Sequence, residues 1–93
     1  MEVKNRNRTT GLSCRCGSWI AHWRNFTRQT ATRCRAVGCG RTDIVGAHVI
    51  KCNSNDGRTF IVPFCNYHNQ QEGCIDINSG TDLVPANRNN TCR

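Results

Sequence analysis

Four side chains of this 93-residue sequence have the types and spacing of a metal centre: Cys34 and Cys39 with four residues between them, and Cys65 and His68 with two. Thiolates and a neutral imidazole are donors that zinc accepts. Three of the first and one of the second close a tetrahedron and leave no position for water, which makes a structural site rather than a catalytic one. Gly38 and Gly40 flank Cys39, giving the tight turn in which backbone amides can point at a thiolate sulfur. The Cys65-x2-His68 spacing puts two ligands on one turn entering a helix, and the chain between the two pairs must fold back to join them.

Five cysteines remain: Cys14, Cys16, Cys52, Cys74 and Cys92. Cys14-x-Cys16-Gly17 repeats the logic of a ligand pair on a turn, and Cys92 would anchor an Asn-rich tail that has little else to hold it. These three are assigned to a second zinc, with His22 as the fourth ligand by proximity in sequence and His48 or Cys74 as alternatives. Eight cysteines in so short a chain indicate a metal-held or disulfide-held fold, because three Phe, two Trp and one Tyr make only a small core. Residues Met1 to Gly11 contain one apolar residue after the first methionine, Val3, so no secretory signal is expected. No window approaches the roughly 20 apolar residues of a membrane span. Both points favour a reducing, cytoplasmic location and one or two structural zincs over four disulfides, although an even cysteine count also suits a disulfide framework.

The formal charge is +7. Two zinc centres of three thiolates each would lower it to about +5, still basic enough to suggest an anionic partner such as nucleic acid. The candidate phosphate contacts are Lys4, Arg6 and Arg8 in the first segment, with Arg24, Arg28, Arg33, Arg35 and Arg41 around the first ligand pair. A solvated basic surface is the alternative. Nothing points to a membrane or a small-molecule substrate.

The elements that must position these groups are few. Residues 1–12 are polar and are expected to form a flexible basic arm, leaving 13–93 as a single zinc-binding domain. Trp19, Ile20, Trp23 and Phe26 fall on one face of a helix from Ser18, its cap, to about Arg28, and are expected to pack the core. Thr42 to Ile50 has the β-branched character of a strand, with Gly46 marking a bulge or close packing. Lys51 to Arg58 makes a wide hairpin tip, and Thr59 to Val62 a second strand ending at Pro63. A short helix from Asn66 to Gly73 and extended pieces around Ile75 to Ile77 and Asp82 to Val84 complete the chain. The fold class expected is α+β: a small treble-clef or ββα-like zinc domain with an additional N-terminal amphipathic helix.

The run from Arg33 to Asn69 resembles the zinc-bound form of the HNH, or ββα-metal, nuclease family, with Gly46-Ala47-His48 as its best landmark. The resemblance implies that Cys34, Cys39, Cys65 and His68 hold zinc, that His48 stands where the general base stands, and that Asn69 matches the helix ligand. Two family features are absent: the acid beside the base is Ala47 here, and the Asn that orients the base is Phe60. Asp43, Asp56 or Asp76 would have to reach into the gap. Cleavage by a single metal needs a positioned base and a held ion, so losing both supports removes most of the rate. The chain is therefore expected to be a degenerate member that binds nucleic acid or a nucleic-acid-processing protein without cutting. A metal-dependent endonuclease using His48 is one alternative. The wider pattern, Cys14-x-Cys16-Gly17-Ser18-Trp19 before His22-Trp23, then Gly46 to Val49 and Ile61 to Asn69, also resembles small cysteine-rich proteins of bacteria and phages, which makes a small inhibitor or adaptor binding a partner protein another.

Overall fold

The polar hairpin tip between two runs of β-branched residues fixes the centre of the fold. The computed structural model describes residues 1–6, 18–30 and 32–86. In chain order its elements are β1 (Glu2–Asn5), α1 (Trp19–Thr27), β2 (Ile44–Lys51), β3 (Phe60–Cys65), α2 (Asn66–Asn69), β4 (Ile75–Asp76) and β5 (Val84–Pro85). The strands form one sheet in the order β4-β1-β2-β3-β5, every pair antiparallel. This is an α+β architecture, and no helix among the described residues is long and apolar enough to cross a membrane.

Strands β2 and β3 pair from Ile44↔Cys65 to Val49↔Phe60, so period-two alternation sends Ala47, Val49, Phe60, Val62 and Phe64 to one face. Gly46, His48 and Ile61 go to the other. On the first face these residues join Val3, Cys34, Ala36, Cys65 and Ile77 in the larger buried cluster. On the second face Ile61 meets Trp23 of α1 and Val84 of β5.

Pro63 does not end the second strand; it lies inside β3, opposite Gly46. In an antiparallel strand a residue's N–H and C=O point to the same side. The Pro63 carbonyl accepts from the Arg35 N–H at 2.9 Å, so the missing N–H points away from β2. There β5 pairs only with Phe60 and Ile61, and no ladder bond is lost.

The first segment departs most from expectation. Residues Glu2–Asn5 are not a mobile arm but a strand between β2 and β4. A single apolar side chain suffices because the exposed Glu2 and Lys4 alternate with the fully buried Val3, and both edges of the strand are hydrogen-bonded. Residues 7–12 lie outside the described residues.

Helix α1 starts at a Ser18 cap, whose hydroxyl oxygen accepts from the Ala21 N–H at 3.1 Å. It ends at Arg28 in the left-handed region, φ 60°. Gly46 is a close-packing glycine rather than a bulge: a Cβ there would overlap the backbone of Trp19 and Ile20, so the first turn of α1 lies directly on β2. Trp23 is completely buried and its indole N–H donates to the Asp82 carbonyl at 2.9 Å. Phe26 is 52% exposed and takes no part in the core, because the helix rests on the sheet through its first half.

Disulfide and free thiols coexist. Cys52, just after β2, is bonded to Cys74, just before β4, so the bridge joins the two strands that flank β1. This corrects the expectation of zinc in place of disulfides and removes Cys74 as a candidate second-site ligand.

Candidate metal centre

The two halves of the centre flank the hairpin in sequence and meet at its open end, where Ile44 pairs with Cys65. Cys34 lies in an extended segment whose N–H donates to the Arg41 carbonyl at 2.9 Å, which closes the loop carrying Cys39. Within that loop the Cys39 N–H reaches the Ala36 carbonyl at 3.0 Å, and Gly38 takes the positive φ of 77° that the turn requires. Cys65 ends β3 and caps α2, its sulfur accepting from the His68 N–H at 3.4 Å. Asn5 holds this short helix on β1: its side-chain amide donates to the His68 and Gln71 carbonyls, each at 2.8 Å.

The result is a group of four donors, Cys34, Cys39, Cys65 and His68, whose ligand atoms all lie within 4.8 Å of one another and could hold a metal ion. His68 Nδ1 is 3.2 Å from Cys65 Sγ and 3.6 Å from Cys34 Sγ, and the Cys39 and Cys65 sulfurs are 3.9 Å apart. Cys34 and Cys65 are buried and Cys39 is half-buried. Burial pushes the Cys34 thiol up to about 11, against the pull of the Ala36 and Cys65 amides. At Cys65 burial also opposes ionisation, but the His68 amide, the Cys34 and Cys39 thiols and the Tyr67 amide together bring the thiol below its ordinary value. A bound cation deprotonates coordinating thiols outright, so the resistance at Cys34 is one that metal removes.

Of the second ligand set, Cys14, Cys16 and Cys92 lie outside the described residues. His22 is completely buried on α1, with Nε2 at 2.9 Å from the Pro85 carbonyl. His48 stands on the same face of the sheet: Trp19 packs against both rings, with centroid separations of 4.9 Å to His22 and 4.6 Å to His48. The His48 Nε2 is buried with no hydrogen-bond partner among the described residues. Burial, His22 and Arg6 hold its imidazole below the usual histidine range.

The face that carries His48 is not the face that carries α2. Helix α2, with His68 and Asn69, is tied to Asn5, which shares its face with Val3 and Val49, whereas His48 points to α1. The three carboxylates that might have filled the gap are engaged elsewhere: Asp43 with Arg41, Asp56 with Arg58 and Lys51, and Asp76 with the N-terminal amine.

The predicted phosphate contacts are distributed over several elements. Arg33 and Arg35 line a common cleft, and the Arg35 guanidinium sits 5.5 Å from the Trp23 ring centroid. Arg41 is spent on a bidentate bond to Asp43, at 2.8 and 2.9 Å. Arg6 bonds the Thr59 hydroxyl, and Lys4 lines a different cleft beside Glu72. Arg24 and Arg28 belong to α1 and its end, and Arg8 lies outside the described residues. Sequence reasoning missed Asn5 as the tie between β1 and α2. Its only signal was the alternation around Val3, too short to distinguish from a polar tail.

Comparison with family models, with curated proteins and with solved structures gives no match. The likeness to HNH proteins therefore rests on the residues alone.

Proposed function

We propose that this chain is a non-catalytic zinc module of treble-clef type whose partner is nucleic acid. One observation carries the zinc assignment: the convergence of three sulfurs and one imidazole nitrogen within 4.8 Å. Zinc–sulfur bonds of about 2.3 Å and zinc–nitrogen bonds of about 2.0–2.1 Å at tetrahedral angles put two sulfurs roughly 3.8 Å apart and a sulfur roughly 3.5 Å from the nitrogen. The separations of 3.9, 3.6 and 3.2 Å are close to these. A turn supplying the first pair, a hairpin, and a helix start supplying the second support the treble-clef reading.

Bound zinc supplies a closed, redox-inert crosslink. The protein's own residues do the rest: the Cys39 turn and the Cys65 cap hold the ligands, and Asn5 fixes α2 to the sheet. Non-catalytic character is supported by the filled coordination sphere and by His48 on the opposite face. The nucleic-acid assignment is supported by a net charge that stays positive after zinc is counted and by Arg33 and Arg35 beside the centre.

The test is fluorescence anisotropy of the zinc-loaded protein with labelled single- and double-stranded oligonucleotides across a salt series. Binding at low salt that weakens steadily as salt rises is expected, and no binding at low salt overturns the nucleic-acid assignment. Plasmid nicking with Mg²⁺ or Mn²⁺ that disappears in His48→Ala would overturn the non-catalytic one.

A further inference from the structure

Beside the metal centre lies a cleft of about 300 Å³ lined by Thr32, Arg33, Cys34, Arg35, Cys39 and Asn78. This is the low end of ligand-pocket volumes, about 300–1,000 Å³. No carboxylate lines it, whereas another cleft among the described residues, of about 330 Å³, mixes Lys4 with Glu72. Arginines elsewhere show what neutralisation looks like here: Arg41 and Arg58 each grip an aspartate with two nitrogens. Arg33 and Arg35 form no ion pair with any carboxylate among the described residues.

The Arg35 backbone is held at both its N–H and its C=O. The Arg35 N–H donates to the Pro63 carbonyl and its own carbonyl accepts from the Asn78 N–H, both at 2.9 Å. The Arg35 side chain is further constrained by the Trp23 ring. Arg33 and Arg35 both line the cleft.

We infer that this cleft is a phosphate-binding site, with Arg33 and Arg35 as the charged donors and Thr32 and Asn78 as the neutral ones. Guanidinium forks match phosphate oxygens, and a donor set fixed beforehand loses little freedom on binding. A zinc centre with three thiolates carries about −1, and two guanidiniums exceed it by one charge. That the phosphate comes from a nucleic-acid backbone rests on the preceding assignment; the anion site does not.

The experiment uses the full zinc-loaded chain, titrated with inorganic phosphate while the guanidinium N–H signals of the arginines and the side-chain amide of Asn78 are followed by NMR. A labelled duplex oligonucleotide is then bound across a salt series. Phosphate should move the Arg33, Arg35 and Asn78 signals and leave those of Arg41 and Arg58 in place. Arg33→Gln, at an exposed position, should weaken oligonucleotide binding about tenfold. It should lower the slope of log affinity against log salt by about 0.9, one phosphate contact, with zinc content unchanged. Arg41→Gln should do neither. Signals that ignore phosphate overturn the site, as does an Arg33→Gln variant that loses zinc, since the arginine would then serve only the thiolates. Oligonucleotide binding that Arg33→Gln leaves unchanged overturns a nucleic-acid backbone as the source of this phosphate, whereas the anion site itself stands or falls on the phosphate-dependent shifts. Phosphate-dependent shifts without oligonucleotide binding sustain the site and overturn that assignment.

Discussion

The two faces of the sheet each carry histidine, and the histidines do different things. On the side of α2, His68 meets three sulfurs and becomes the fourth donor of a cluster. On the side of α1, His22 meets a backbone carbonyl and the Trp19 ring, and His48 meets that ring with its Nε2 unpartnered among the described residues. What separates ligand from core residue is therefore the surroundings the fold delivers. His68 is delivered to sulfur by a spacing of three residues on one capped turn, whereas His48 lies within β2, opposite Ile61 and against the Trp19 ring.

The difference can be broken most severely at the metal. Cys65→Ser, or a strong chelator, should abolish cooperative unfolding followed by circular dichroism. Structural zinc contributes on the order of 10–16 kcal/mol in small zinc domains, as much as the whole stability of a typical domain, about 5–15 kcal/mol. On the other face the corresponding loss is a packing loss. Trp23→Ala should lower stability by about 3–5 kcal/mol in denaturant titration while leaving zinc binding intact.

A finer test separates α1 from the sheet without touching either cluster. Gly46→Ala forces the first turn of α1 off β2 and should cost about 1–3 kcal/mol, whereas Gly57→Ala, with open space around it, serves as the control. Smallest is the pH effect of His48. Its folded pKa lies below the ordinary 6.5, lowered by burial and then by His22 of α1 and Arg6 after β1. The neutral ring is thus the favoured form: its contribution is fully present above 6.5 and is lost as pH falls from there through the folded pKa. Melting temperatures measured from pH 8 down to about pH 5 should therefore fall less steeply in His48→Phe than in the parent. Equal slopes would mean that the ring is solvated.

Local signals were the legible ones. The Cys65 and His68 spacing, the Gly38 turn and the Ser18 cap each act over one turn of chain, and each is found where the residues put it. Non-local facts were not legible. Val3 alone could not announce a strand, because β1 gains its order from hydrogen bonds to β2 and β4 rather than from its own side chains. Pro63 misled for the same reason: whether its missing N–H matters depends on how far β5 extends. The Cys52–Cys74 bridge spans 22 residues and depends on the sheet order that brings the end of β2 and the start of β4 together around β1. The exposure of Phe26 depends on where α1 leaves the sheet, which its own periodicity does not encode.

The central claim is that Cys34, Cys39, Cys65 and His68 hold one zinc. Thiol alkylation mapped by peptide, combined with native mass spectrometry before and after chelation, tests it directly. Cys34, Cys39 and Cys65 should resist alkylation in the zinc-loaded protein and become reactive together as one zinc is lost. Zinc-replete protein in which these three thiols react freely, or in which they are paired in disulfides, would contradict it.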